Sequence, residues 1–175
     1  MPNLLDLYEA IKPKYIIFCD MDGVLVDFDR GYKELTGKST NHKSVQDKND
    51  FWRLLDKSLE EKGLEEYDYW VNLPWMPDGR TLWDYIKGYK PYILTAPSLD
   101  PGSRKAKREW VDTELPEAKN IYFRKAQLKP DFSGKNRILI DDREDTVEAW
   151  NAKGGIGIYH TSAANTIQQL KDLGI

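Results

Sequence analysis

Five polar residues follow three short apolar runs of the sequence, and their types and spacing suggest metal chemistry. Asp20 and Asp22, one residue apart, come directly after the run YIIFC, and Asp141 and Asp142 are adjacent after the run RILI. Thr95 follows a third run, YIL. Four carboxylates gathered at one place repel one another unless a cation lies among them. Hard oxygen ligands of this kind favour Mg²⁺.

The elements that must position these residues are a set of strands. Five apolar runs are rich in β-forming residues and too short for helices, so each is predicted to be a buried strand. Helix signals separate them, including a serine at the start of 162–174 and two glycines after 144–153. This alternation predicts an α/β fold with a mainly parallel sheet, in which ligands bind beyond the carboxyl ends of the strands. The predicted strands are 14–19, 91–96, 120–123, 137–141 and 155–160, and the predicted helices are 102–115, 144–153 and 162–174.

The chain between Gly23 and Pro91 is far longer than one crossover helix. It contains a helical pattern at 28–37 and another after Asn49-Asp50, the pair predicted to cap it. We therefore predict a small helical cap at 24–78, inserted after the first strand. The Rossmann-like α/β core would be built from 1–23 and 79–175.

Composition excludes several classes of protein. With 175 residues the chain is long enough for a single domain with its own core, and its net charge of −3 provides no general basic field for nucleic acid. A single cysteine excludes a disulfide framework. The sequence has no run of 18 apolar residues and its N-terminus does not resemble a signal peptide, so we expect a cytoplasmic protein without a membrane partner. Monomer and homodimer both remain open.

The motifs taken in chain order resemble those of the haloacid dehalogenase-like (HAD) phosphohydrolase superfamily. They are DMDGVLVDF at 20–28, TAP at 95–97, a following lysine and IDDR at 140–143. Within the superfamily the chain looks like the 5'(3')-deoxyribonucleotidases, including bacterial and phage relatives, and YWVNLPWMPDG resembles their segment returning from cap to core. The resemblance covers residues 14 to 160. It implies a HAD core and Mg²⁺-dependent hydrolysis of (deoxy)nucleoside monophosphates.

The resemblance also implies roles for the carboxylates. Asp20 would be the nucleophile that forms an aspartyl-phosphate. Asp22 would be the general acid and then the general base, and its backbone carbonyl would bind the metal. Asp142 would bind Mg²⁺ directly together with Asp20, and Asp141 or Asp145 would support the site.

Phosphate contacts follow in the same way. Thr95 would hydrogen-bond a phosphate oxygen, helped by backbone N–H groups near Ala96, where the family often has serine. A lysine would neutralise the phosphate, and the sequence offers three candidates. Lys129 lies nearer the usual distance from the final acidic pair and is favoured over Lys125, which is closer to the strand end. Lys107 is the third.

The aromatic residues of the cap suggest a substrate. Phe28 lies just past the first motif, where the resembling family places an aromatic against the base, and Tyr69 and Trp70 lie on the returning segment. Aromatic faces stack on nucleobases with about 1–3 kcal/mol each. Tryptophans in a small helical insert also commonly form its core, so packing is the competing interpretation for Trp70.

Other functions remain compatible with the motifs. The same chemistry serves a polynucleotide 3'-phosphatase or a sugar-phosphate phosphatase, although a closed cap and low basicity argue against a polymer. A phosphomutase also uses such an aspartate pair. A catalytically silent nucleotide-binding protein would bind Mg²⁺ without turning over any monophosphate.

Overall fold

A computed structural model of the chain describes residues 15–41, 47–98 and 101–175. Five parallel strands form one sheet in the order β3-β2-β1-β4-β5, so the first strand is central. All five predicted strands are present, and the predicted α/β fold with a parallel sheet is confirmed. The strands are β1 (Ile16–Cys19), β2 (Tyr92–Thr95), β3 (Asn120–Phe123), β4 (Arg137–Asp141) and β5 (Ile156–Tyr159).

Helices cover both the long insert and the crossovers between strands. The predicted helices at 28–37, 102–115, 144–153 and 162–174 occur within a residue or two of their expected ends, and Ser162 caps the last. No helix among the described residues is long and apolar enough to cross a membrane. The helices are α1 (Phe28–Thr36), α2 (Lys48–Lys62), α3 (Glu66–Val71), α4 (Gly79–Ile86), α5 (Pro101–Glu114), α6 (Glu144–Ala152) and α7 (Ala163–Asp172), with 3₁₀ turns at Lys87–Tyr89 and Ala126–Phe132.

The start of α2 differs from the prediction. Asp47, in extended conformation, is the N-cap, and its carboxylate accepts hydrogen bonds from the backbone N–H groups of Asn49 and Asp50 at 2.7 and 2.9 Å. The expected cap at Asn49-Asp50 is therefore wrong. The segment offers several residues that can cap a helix, and the one whose side chain reaches the free N–H groups decides where the helix begins.

Both faces of the sheet are buried. Successive side chains of β1 point to opposite sides, and each side packs into its own apolar cluster. Ile17 joins a large apolar cluster that continues into the insert through Leu55 and Trp70. Phe18 joins a smaller cluster on the other face together with Trp150. The insert thus shares a core with the sheet, and the domain boundaries at 23/24 and 78/79 stay a prediction.

The insert is attached to the sheet by two paired segments, which we call the stem (residues 25–27 and 74–76). Val26 and Trp75 form an antiparallel bridge. Asp27 donates its backbone N–H to the carbonyl of Pro74, and Met76 donates to the carbonyl of Leu25, both at 2.8 Å. The chain therefore enters and leaves the insert at the same place.

Candidate active site

The turn after β1 fixes the first aspartate. The backbone N–H of Asp20 continues the ladder to the carbonyl of Ile140 at 2.9 Å, and the N–H of Met21 donates to Asp20 Oδ1 at 2.8 Å. Asp20 is only 6% exposed. Its carboxylate is therefore held in one orientation at the carboxyl end of the central strand.

Gly23 lets the neighbouring loop approach this turn. Its φ of +79° lies in the left-handed region, which strains residues that carry a Cβ. A Cβ at this position would also collide with the carboxylate of Asp142. Glycine is required here for backbone conformation and for space, and its absent side chain leaves room for Asp142 beside Asp20.

Lys129 joins the first and last motifs. Its Nζ lies 2.8 Å from Asp20 Oδ2 and 2.8 Å from Asp141 Oδ2, and its side chain is 1% exposed. Burial alone would lower the pKa of Lys129, but the carboxylates of Asp20 and Asp141 outweigh it and raise that pKa above the usual range. The lysine therefore stays charged and neutralises much of the negative charge of the pair.

The acidic cluster fits a cation. Asp20, Asp141 and Asp142 each offer one carboxylate oxygen, and these three atoms lie within 4.8 Å of one another. Burial raises the pKa of Asp142 to about 7, with further contributions from Asp20 and Asp141. No cationic side chain among the described residues forms an ion pair with Asp142, whereas Asp141 is held by Lys129 and by the N–H of Arg143 at 2.9 Å. Of the three carboxylates, Asp142 thus has the fewest partners among the described residues, and the predicted metal contact of Asp20 stays a prediction.

A second buried lysine serves the second aspartate. Lys107, from α5, forms an ion pair with the carboxylate of Asp22 and is 1% exposed. Its ammonium also lies 3.3 Å from Thr95 Oγ1 and 3.0 Å from the carbonyl oxygen of Ala96. Asp22, Thr95 and Lys107, which come from separate parts of the sequence, therefore meet at one place. The predicted contact through backbone N–H groups near Ala96 stays a prediction.

The two carboxyl oxygens of Asp22 have different surroundings. Its Oδ1 is buried and lacks a hydrogen-bond partner among the described residues, while its Oδ2 faces Lys107. Burial raises the pKa of Asp22, Lys107 lowers it and Asp20 raises it, with a net increase. The side chain of Asp22 is not one of the three carboxylates that approach one another, and its predicted backbone contact to the metal stays a prediction.

A cleft of about 680 Å³ opens between the insert and the strand ends. Phe28 forms part of its wall, stacked on Phe51 with ring centroids 5.5 Å apart. No acidic residue lines this cleft among the described residues, although the chain as a whole is acidic. Its other lining residues include the aromatic Trp52, the backbone near Ala96 and the cations Lys48, Lys125 and Arg143.

Tyr69 and Trp70, the other aromatic residues expected to contact a base, are more deeply buried than Phe28. Tyr69 and Trp70 are 6% and 3% exposed and are not part of the cleft wall. Trp70 stacks behind Phe28 at 5.4 Å, and its ring lies 4.8 Å below the ammonium of Lys107. Direct contact of these two residues with a base stays a prediction, and their observed part is to support Phe28 and Lys107.

The structure separates the three candidate lysines. Lys129 and Lys107 reach the carboxylates, whereas Lys125 is exposed on the cleft wall. Sequence reasoning did not single out Phe51 and Trp52 as substrate contacts. The apolar spacing of α2 explained Phe51 as a core residue, and it gave no sign that one edge of this helix forms a cleft.

Comparison with solved structures finds several with this architecture. A hydrolase from Streptococcus pneumoniae TIGR4 superposes with a TM-score of 0.55 at 15% identity, over 90% of this chain and 99% of that one. A putative beta-phosphoglucomutase from Thermotoga maritima gives 0.54 at 15%, over 91% and 99%. The chain shares the parallel α/β fold of these structures. The putative HAD-hydrolase YfnB from Bacillus subtilis, described as bound to magnesium, gives 0.52 at 13%, over 92% and 99%.

Identities this low show a shared fold and do not assign the chain to a family. No protein-family model matches the chain, and no curated protein matches it. The residues at the strand ends therefore carry the information about its chemistry.

Proposed function

We propose that this protein is a Mg²⁺-dependent phosphomonoesterase that hydrolyses (deoxy)nucleoside monophosphates through an aspartyl-phosphate. The observation that carries the proposal is the pairing of two unlike aspartates at the end of β1. Asp20 is oriented by a backbone N–H and by Lys129. Asp22 has a raised pKa and a free, buried carboxyl oxygen. One is suited to attack and the other to transfer a proton.

The reaction follows from this division of roles. An oxygen of Asp20 attacks phosphorus, the bond from phosphorus to the ester oxygen breaks, and Asp22 gives its proton to the leaving oxygen. Water then attacks the aspartyl-phosphate and gives a proton back to Asp22, which releases phosphate. Thr95 and Lys107 would hold phosphate oxygens beside this pair, since the ammonium of Lys107 lies 3.3 Å from Thr95 Oγ1 at the end of β2.

Asp20 and Asp142 would hold the metal, with Asp141 supporting them through Lys129. A bound Mg²⁺ would offset the charge of the incoming phosphate and help to orient it. The neighbour from Bacillus subtilis that is described as bound to magnesium supports this assignment by analogy.

A nucleotide is favoured by the cleft between the insert and the strand ends, whose wall includes Ala96 and Arg143, the residues that follow Thr95 and Asp142. Phe28, Phe51 and Trp52 offer aromatic faces for a base, and the lining cations suit the negative charge of a nucleotide. Sugar phosphates and polynucleotide 3'-phosphates remain the alternatives within the same chemistry, because the carboxylates do not discriminate among phosphate esters.

The first experiment measures phosphate release from a panel of esters, with Mg²⁺ and with EDTA. The panel contains deoxynucleoside and ribonucleoside 5'- and 3'-monophosphates, sugar phosphates and a 3'-phosphorylated oligonucleotide. We expect release that requires Mg²⁺, is highest on nucleotides and is abolished by Asp20→Asn. Asp84→Asn, which removes an exposed carboxylate on α4, is the matched control and should behave as wild type.

Two results would contradict the proposal. Preference for sugar phosphates or for the oligonucleotide would keep the chemistry and reject the substrate. No release from any ester, together with measurable Mg²⁺ binding, would indicate a silent binding protein.

A further inference from the structure

The ammonium of Lys107 has polar partners on some sides and an aromatic ring on another. It donates to the carboxylate of Asp22 and to the carbonyl oxygen of Ala96, the latter at 3.0 Å. The ring of Trp70, on α3 of the insert, has its centroid 4.8 Å from Lys107 Nζ. Lys107 and Trp70 are 1% and 3% exposed, so this contact is made away from solvent.

An aromatic face holds a cation differently from a carboxylate. A cation within about 6 Å of the ring centroid is attracted by the ring quadrupole, and the attraction is stronger where both groups are withdrawn from water. The face of Trp70 has no lone pair that would compete with a phosphate oxygen for the N–H donors of Lys107. A carboxylate in its place would add a negative charge beside an incoming phosphate. The ring can therefore hold the lysine without opposing an anionic ligand.

The orientation of the ring is itself fixed. Trp70 Nε1 donates to Glu66 Oε1 at 2.9 Å, one turn earlier on α3. The same carboxylate oxygen accepts a hydrogen bond from the hydroxyl of Ser98 at 3.2 Å. Ser98 lies two residues after Ala96, whose carbonyl oxygen accepts from Lys107. These contacts form a closed circuit that joins one helix of the insert to α5 and to the loop after β2.

We propose that Trp70 is a positioning residue for phosphate binding, whose face keeps the ammonium of Lys107 where a phosphate oxygen can reach it. Glu66 sets the orientation of that face. The inference rests on the proposed function for one point, the assignment of Lys107 to phosphate. It adds a residue of the insert to a site whose other side chains come from the sheet and α5. Without the ring, water would reach the ammonium, and the flexible lysine stem would be less confined.

The test changes the charge distribution of the ring with little change in its size. Tryptophan carrying one to four fluorine atoms is incorporated at position 70 alone, because fluorine withdraws electron density from the face and weakens its attraction for a cation. Calorimetric titration with inorganic phosphate, in the presence of Mg²⁺, measures the affinity. We expect the affinity to fall with each added fluorine and to be about tenfold lower in Trp70→Leu. Inorganic phosphate has no base, so contacts of a base with the insert do not enter.

Trp83 provides a matched control. It is also buried, at 4% exposed, and its Nε1 donates to a carboxylate oxygen of Glu117 at 3.2 Å. None of the cation–aromatic contacts among the described residues involves its ring. Fluorination at position 83 should therefore leave the phosphate affinity unchanged, although it alters a tryptophan of the same kind.

Two variants of Glu66 test the orientation of the ring. Glu66→Gln keeps an acceptor for the indole N–H of Trp70, whereas Glu66→Leu does not. Both remove the same negative charge, so the difference between them reports the hydrogen bond. We expect Glu66→Gln to retain most of the phosphate affinity that Glu66→Leu loses. Equal affinities in the two variants would contradict the part assigned to Glu66.

The outcomes separate this inference from the proposed function. A phosphate affinity that does not change along the fluorine series, or that falls equally for position 83, would overturn the inference even if esters are hydrolysed. Affinity that falls along the series in a protein that releases phosphate from no ester would support the inference and reject the hydrolysis. Wild-type protein that binds no phosphate would overturn both.

Discussion

Two buried lysines give the two aspartates of the first motif different environments. Lys129 bridges Asp20 to Asp141, whereas Lys107 faces Asp22 from α5. Each lysine therefore offsets the charge of one aspartate of the first motif, where Asp20 and Asp22 would otherwise repel each other strongly. In the proposed reaction, the division into nucleophile and proton donor therefore depends on which lysine each aspartate contacts.

Replacement of Lys107 should shift the pH dependence of catalysis. Lys107 lowers the pKa of Asp22, so Lys107→Met should raise that pKa and keep Asp22 protonated to higher pH. In a profile of kcat/KM against pH, the alkaline limb, which reports deprotonation of the general acid, should shift to higher pH. Lys105→Met, an exposed neighbour on the same helix, is the control. An alkaline limb that stays at the same pH or shifts to lower pH would contradict this role of Lys107.

Gly23 should tolerate no side chain. Gly23→Ala introduces strain at a φ of +79° and a collision with the Asp142 carboxylate. We expect a loss of more than about 1 kcal/mol in unfolding stability, together with weaker Mg²⁺ binding. Chemical denaturation and calorimetric titration with Mg²⁺ measure the two effects. Gly37→Ala, at a φ of +74° with open space around it, separates the strain from the collision, because its Mg²⁺ affinity should be unchanged.

At the scale of elements, α2 forms the wall of the cleft that carries Phe51 and Trp52. Its position depends on an N-cap that precedes both aromatics by only a few residues. The N-cap and the cleft wall are therefore linked, and loosening the first turn of α2 should disturb substrate binding more than chemistry.

Asp47→Ala tests this link. Loss of the two hydrogen bonds to Asn49 and Asp50 should destabilise the protein by about 1 kcal/mol. The KM for a nucleoside monophosphate should rise, while kcat/KM for p-nitrophenyl phosphate, which lacks a base, should change little. Asp56→Ala, in the exposed middle of the same helix, serves as the control. Equal losses on both substrates would show that α2 does not act through the base.

The sequence was informative about elements and less so about their contacts. Apolar runs located all five strands, because a buried parallel strand has a distinctive composition. The burial of Lys107 was not predictable, since it depends on how α5 packs against β2 and α3. Likewise, Phe51 and Tyr69 are both aromatic residues of insert helices, and only packing separates the one on the cleft wall from the one beneath it.

At the scale of the whole molecule, the ionisation of Asp142 links folding stability to metal binding. The raised pKa of Asp142 means that the metal-free folded state binds more protons than the unfolded state between about pH 4 and the value of about 7. This contribution therefore lowers folding stability as pH rises through that window. Asp142 is exposed as a residue, so solvent screens part of the effect.

Asp142→Asn should remove that contribution. In EDTA, the variant and wild type should be similarly stable at pH 4, and the variant should become the more stable of the two by pH 8. Added Mg²⁺ should then stabilise the wild type at pH 8 and have less effect on the variant. Thermal unfolding at several pH values measures both, with Asp131→Asn as an exposed control. A variant less stable than wild type in EDTA at pH 8 would contradict the linkage.

The stem has a consequence for how such a protein can diversify. Because the chain leaves the sheet and returns to it through paired segments at Val26 and Trp75, the ends of the insert are neighbours in space. A segment of different length could replace part of the insert without changing the strand order, provided that it still covers the apolar cluster that the insert shares with the sheet. Under the proposed function, the cleft wall and the aspartates at the strand ends could then change at different rates within one gene.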